Sequence, residues 1–193
     1  MSEQLNLFET NKRVIPPRQK DLVMDKDALL RWKSQIFKYQ QSKRNSRAPQ
    51  QNSLFQQTSA YGSPEDIDPF ELKLHTALFY RMPETAQPVE GIDTGCIYFI
   101  IDRTLPILLY VGETKLTAAK RWKGVHYVKD YILKYIELHR RYNLNEAIVS
   151  AFWHRIPPNK QILRLWEKEL ILKWRTPFNK ECWRYWGQPF GKL

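Results

Sequence analysis

The stretch Gly95–Arg121, GCIYFIIDRTLPILLYVGETKLTAAKR, decides how this chain folds. Two short apolar runs, Cys96–Ile101 and Ile107–Val111, flank a polar gap containing Pro106, and together they predict a β-hairpin. Each run carries one tyrosine, Tyr98 in the first and Tyr110 in the second. Gly112 is expected to break the second strand, and the good helix formers Ala118, Ala119, Lys120 and Arg121 predict a helix after it.

Toward the C-terminus, Gly124 interrupts that helix. A longer one is predicted from about Val128 to Tyr142, with Tyr131, Ile132, Tyr135, Ile136 and Leu138 inward and Lys129, Lys134, Arg140 and Arg141 outward. Ala147–Trp153 is rich in β-formers and predicts a third strand. Pro157 and Pro158 stop it, Asn159 is placed to cap a last long helix over Lys160–Trp174, and Pro177 ends that helix. The tail, residues 182–193, is aromatic. Its rings either close the core or stack on bases, and closing the core is the expectation because they directly follow a helix.

Toward the N-terminus, residues 65–90 predict an accessory helix. Asp68 suits the N-cap, Pro69 the first helical position and Glu71 the capping box, Ile67 can staple onto Leu72, and the helix ends near Met82. Residues 42–64, rich in Gln, Ser, Asn and Arg, read as a linker. Residues 25–41 predict an amphipathic helix with Leu29, Leu30, Trp32, Ile36, Phe37 and Gln40 on its stripe and Lys33, Lys38 and Lys43 outside it. Residues 1–24 are polar, hold Pro16-Pro17 and are expected to be a flexible arm. The fold class is therefore α+β, a small three-stranded antiparallel sheet flanked by helices, with an N-terminal helical and partly disordered extension.

The net charge of +11 is unevenly spread: 13 Lys and Arg face 11 Asp and Glu in residues 1–90, against 18 and 9 in residues 91–193. A basic excess on the hairpin half suits a polyanion such as nucleic acid, although a solvated basic surface gives the same count. Two cysteines are too few for a disulfide scaffold or a zinc site and point to a reducing compartment. No apolar run approaches the ~20 residues of a membrane span, and MSEQLNLFETNKR lacks a signal-peptide pattern. A cytoplasmic, nucleoid-associated protein is the expectation.

The hairpin resembles that of the GIY-YIG nucleases, with Cys96-Ile97-Tyr98 standing for the first triplet and Tyr110-Val111-Gly112 for the second. Arg121, His126, Glu167 and Asn179 then follow in the order in which that family places its site residues. The resemblance covers about residues 91–181 and implies a metal-dependent DNA endonuclease. It assigns Tyr98 as the general base and Tyr110, Arg121, His126 and Asn179 as further site residues, Glu167 as the ligand of one Mg²⁺ or Mn²⁺ ion, and DNA as the partner. Tyr127 competes with His126 for its position, since some members use tyrosine there. Cys96 in place of glycine and Glu113 after the second triplet depart from the family pattern.

The chemistry fits these residue types. Hydrolysing a phosphodiester needs a base for the attacking water and positive charge where the phosphorane gains negative charge. A phenol has a pKa near ~10 and needs a nearby cation to serve as that base. Arg121 offers a bidentate grip on phosphate, and Lys120 and Lys123 beside it are candidate substrate-binding cations. Glu167 falls among Leu163, Trp166, Leu170, Ile171 and Trp174, so helical spacing turns a carboxylate toward the apolar side, where a divalent cation or an ion pair with Lys or Arg compensates it.

Two pentapeptides outside this region, Gln4-Leu5-Asn6-Leu7-Phe8 and Gln51-Asn52-Ser53-Leu54-Phe55, resemble the bacterial sliding-clamp-binding peptide. Gln4, Leu7 and Phe8, and Gln51, Leu54 and Phe55, are the candidate clamp contacts, the alternative being Leu-Phe pairs that dock back on the body. Clamp tethering would suggest work in repair or recombination. Two other readings stand beside the endonuclease: a catalytically silent adaptor that binds nucleic acid or the clamp and keeps the fold, and a restriction or mobile-element nuclease. The latter lacks an appended helix-turn-helix or Cys/His finger for sequence readout.

Overall fold

Every residue of β1 (Cys96–Asp102) is buried, which a strand achieves only when neighbours cover both its edges and both its faces. The computed structural model describes residues 24–46, 61–75, 95–115 and 127–190. In it β2 (Ile107–Thr114) and β3 (Ile148–Trp153) run antiparallel to β1 on either side, giving the order β2-β1-β3. Alternation along β1 then divides the core. Cys96, Tyr98 and Ile100 pack with α1 (Lys26–Asn45) and α2 (Tyr127–Arg141), whereas Ile97, Phe99 and Ile101 pack with α3 (Lys160–Trp174). Leu163, Leu170 and Ile171 of α3 are wholly or almost wholly buried there, each worth about 1.5–3 kcal/mol. The protein is thus α+β, a small antiparallel sheet between helical layers, with a short fourth helix, α4 (Trp183–Trp186), behind α3. No helix among the described residues is long and apolar enough to cross a membrane.

Local sequence explains most boundaries. Asp25 caps α1 by accepting from the Ala28 amide at 2.7 Å, and Asn159 caps α3 by accepting from Gln161 and Ile162. A register shift opposite Ile100 and Ile101 inserts Leu109 into β2 as a bulge, so the consecutive residues Leu109 and Tyr110 both join the α1/α2 side of the core. The aromatic tail does close the core: Cys182 is buried, and Trp183 and Trp186 are partly buried against it.

Both outer edges of the sheet carry further contacts, that of β3 at one residue pair and that of β2 at several. Beyond β3, His75 forms a two-bond antiparallel bridge with Ser150, at 2.8 and 2.9 Å. Beyond β2, side chains substitute for a strand. Gln40 accepts from the Leu108 amide and donates to the Leu108 carbonyl, Asn179 does the same for Val111, and the Phe178 amide donates to Leu109. Unpaired strand edges invite foreign strands, and on the β2 edge these contacts occupy the groups that would pair.

Four expectations are corrected. Gly112 does not break the second strand, which continues through Thr114; the glycine is needed because Tyr98, its cross-strand partner, occupies the space a side chain would fill. The helix expected to begin at Asp68 does not form within the described residues. A single 3₁₀ turn (Pro64–Asp66) comes first, and Asp68 accepts from the Phe70 amide in a local turn. The chain then leads Leu72 and Leu74 across the α3 side of the core to His75. Docking Phe70 against Trp174 and completing the β3 edge outweigh the capping signal; residues 76–90 of that expected helix lie outside the described residues. The first helix runs to Asn45 rather than Gln41, taking four residues from the expected linker. Finally, Lys33 is not outside the stripe but buried, because Asp102 and His139 meet its ammonium in the core, while Leu30, placed on the stripe, is exposed.

Candidate functional site

Tyr98 and Tyr110 project from adjacent strands onto the same face, as their registers with Gly112 and Ile100 require, and their ring centroids lie 6.0 Å apart. Tyr98 fits flush against the sheet only because residue 112 has no side chain: a Cβ there would collide with the Tyr98 hydroxyl and Cζ. Gly112→Ala is therefore expected to drive the Tyr98 ring out of place at a cost of about 1–3 kcal/mol. That loss appears as a lower urea midpoint; wild-type stability would mean that the ring has a second place to go.

The third member is Tyr127, the first residue of α2, which meets Tyr110 edge-on at 6.4 Å. The Tyr110 ring thus lies between those of Tyr98 and Tyr127, and its phenol interacts with both. Burial, reinforced by the neighbouring phenols, pushes Tyr110 far above an ordinary phenol, and burial pushes Tyr127 up to about 12 despite its hydrogen bond with Tyr110. At neutral pH both hydroxyls therefore keep their protons.

Glu167, two turns into α3, reaches the other side of β2. It is half-buried, and its Oε1 accepts from the Glu113 amide at 3.1 Å, two residues past Val111 on the sealed edge. Its charge acts on both Tyr110 and Tyr127, so the carboxylate and the phenols share one neighbourhood. Glu113 itself turns toward Arg164, 3.8 Å away. The carboxylate of Glu181 also acts on Tyr127, and Lys180 sits over the Tyr127 ring at 4.9 Å.

Asn179 is 3% exposed, and its amide is spent on the protein: Oδ1 accepts from the Val111 amide and the Thr176 hydroxyl, and Nδ2 donates to the Val111 carbonyl. It holds the backbone between Tyr110 and Gly112, a positioning contact.

The structure thus brings together Tyr98, Tyr110, Glu167 and Asn179. Arg121, His126, Lys120 and Lys123 lie outside the described residues, as do Gln4, Leu7, Phe8, Gln51, Leu54 and Phe55. Of the two competitors for one position, Tyr127 is in the cluster. Sequence reasoning missed the Glu113 amide as the group that orients Glu167, because that contact depends on β2 continuing past Gly112. Among the described residues no group of three His, Cys, Asp or Glu side chains is gathered as a metal site. The thiols are remote from such chemistry, burial pushing Cys96 up to about 12 and Cys182 up to about 11.

Comparison of the chain with protein-family models, with curated proteins and with solved structures found no match.

Proposed function

We propose that this protein is a phosphodiester hydrolase and, more narrowly, a metal-dependent DNA endonuclease. The observation that carries the reading is the convergence of Tyr98, Tyr110, Tyr127 and Glu167 at one end of the β1-β2 pair. Two buried phenols, a half-buried third and a half-buried, oriented carboxylate in one place are costly for folding alone, and they offer groups that attack of water on a phosphodiester can use. The basic excess of residues 91–193 gives the polyanion a reason to approach.

In this reading Tyr98, held as phenolate by a cation for which Arg121 is the candidate, takes the proton of the attacking water. Tyr110 and Tyr127, both held protonated, are donors for a phosphate oxygen as it gains negative charge. Glu167 is a hard oxygen donor, the chemistry that Mg²⁺ or Mn²⁺ prefers, and a single carboxylate is a common protein share for Mg²⁺, the remainder being water and substrate. When bound, such an ion polarises the scissile phosphate and the leaving oxygen. The Glu113 amide fixes the Glu167 carboxylate, and Asn179 fixes the strand between the two phenols. Arg121 contributes the guanidinium for the phosphate, with Lys120 and Lys123 beside it. The peptides Gln4–Phe8 and Gln51–Phe55 would tether the enzyme to a sliding clamp.

The test is cleavage of labelled nicked, branched, single-stranded and duplex DNA with Mg²⁺ or Mn²⁺. Wild type is expected to cut at least one of these, chelation with EDTA to stop it, and Glu167→Gln to cut at least about 100-fold more slowly, the scale of a lost catalytic group. No cleavage of any substrate, with DNA binding retained, would leave the adaptor reading in its place.

A further inference from the structure

A series of ring–cation contacts is spread along the C-terminal segment, some beside the tyrosine cluster and some against α1. It starts with Lys180, over Tyr127 at 4.9 Å and over Trp183 at 5.9 Å. It continues at the end of α3, where the Arg175 guanidinium lies 4.3 Å from the Tyr39 ring and 4.0 Å from the Tyr185 ring. Arg184, itself exposed, lies over Tyr185 at 4.7 Å, and Tyr185 is one of the exposed large apolar side chains of the protein.

Two facts separate these contacts from ordinary surface packing. The first is charge. Among the described residues Arg44, Arg141, Arg164 and Lys173 each pair with a carboxylate, whereas Arg175, Lys180 and Arg184 do not; Arg155 and other cations also lack one, but these three gather on one segment around Tyr39, Tyr127, Trp183 and Tyr185. They are held on rings instead, which leaves their charge available to an outside anion. The second is backbone. Arg175 ends α3 in the left-handed region at φ 46°, where glycine is the less strained occupant. An arginine there tolerates strain to put a guanidinium between two tyrosines.

Rings interleaved with unneutralised cations match a strand whose bases are exposed: faces stack on tyrosine and on the guanidinium plane, and phosphates meet the cations. A duplex offers the phosphates but hides the base faces. We infer that Arg175, Tyr185 and Arg184, with Tyr39, form a stacking surface for single-stranded DNA, with Lys180 as a further cation beside the tyrosine cluster; this rests on the nucleic-acid reading of that cluster. A base entering on Tyr185 displaces Arg184, whose guanidinium then meets the phosphate. The substrate class is DNA with an unpaired strand next to the cut.

Fluorescence anisotropy of the full chain with labelled oligothymidine and with a duplex of equal length, in EDTA, tests this. Tyr185→Ala and Arg175→Gly are each expected to weaken single-strand binding about 5- to 100-fold, to change duplex binding less than about twofold, and Tyr185→Phe to bind as wild type. Arg175→Gly relieves the left-handed strain, so it removes the guanidinium without threatening the fold, and a melting curve checks that. Variants that bind single strands like wild type, or that lose both ligands equally, overturn the stacking surface while leaving the endonuclease reading intact. Wild type that binds neither DNA overturns both.

Discussion

Tyr98→Phe is expected to slow DNA cleavage about 10²- to 10⁴-fold, the range for losing a general base, while the protein stays folded. The ring is what the fold uses: it fills the space over Gly112 and belongs to the α1/α2 side of the core, and phenylalanine keeps all of that. Only the hydroxyl goes. Burial holds Tyr110 far above an ordinary phenol value and Tyr127 at about 12, so neither gives up a proton near neutral pH; Tyr98 is as deeply buried and in this reading serves as the base through a cation that favours its phenolate, for which Arg121 is the candidate. The measurement is single-turnover cleavage of the preferred substrate, with near-ultraviolet circular dichroism to show that the aromatic core is retained. If Tyr98→Phe cut normally and Tyr127→Phe did not, the base would have to be assigned to α2 rather than to β1.

The hairpin, the third strand and the last long helix were legible because each is bounded by residues that act locally. Pro106 marks the hairpin gap, Asn159 accepts the first amides of α3, and Pro177 prevents its continuation. Where the reading failed, a distant contact outweighed a local preference. Gly112 is a strand breaker by propensity, yet here it is a strand residue because of Tyr98 across the ladder. Asp68 begins a turn as its type suggests, but Arg44 takes its other oxygen at 3.2 Å and Phe70 is drawn onto Trp174. The site shows the same division. Tyr98 and Tyr110 follow from the period of two along paired strands, and Glu167 from its place among apolar helix positions. The role of Asn179 does not, since only the topology makes β2 an edge for its amide to seal.

Lys33→Met is expected to cost about 3–5 kcal/mol at pH 7, as removal of one partner from a buried ion pair does. Lys33 Nζ donates to Asp102 Oδ2 at 2.9 Å and to His139 Nε2 at 2.8 Å, joining α1 to β1 and α2. Asp102 also accepts from the Tyr135 hydroxyl at 2.6 Å and from the amide and hydroxyl of Thr104. Without the ammonium, a wholly buried carboxylate is left uncompensated, and Lys33→Met with Asp102→Asn should recover much of the loss because no charge remains. Acid should attack the same place. The His139 Nδ1 faces the Tyr135 carbonyl at 2.8 Å, which can only accept, so Nδ1 carries the proton and Nε2 takes the bond from Lys33. Burial and the adjacent ammonium, together outweighing the Tyr135 carbonyl and Asp102, hold His139 below its ordinary value. Burial alone would raise Asp102, but Lys33 and the hydrogen bonds more than offset it and leave it lowered. Both groups bind protons more readily unfolded than folded. Stability is therefore expected to fall as pH drops below ~6.5, by up to about 1.4 kcal/mol per pH unit for His139, with Asp102 adding to the loss below ~4. Urea midpoints for wild type and His139→Gln between pH 7.5 and about 5 separate the two: glutamine accepts from Lys33 without titrating, so its profile should be flat where wild type declines. Parallel profiles would place the acid-sensitive group elsewhere than in this network.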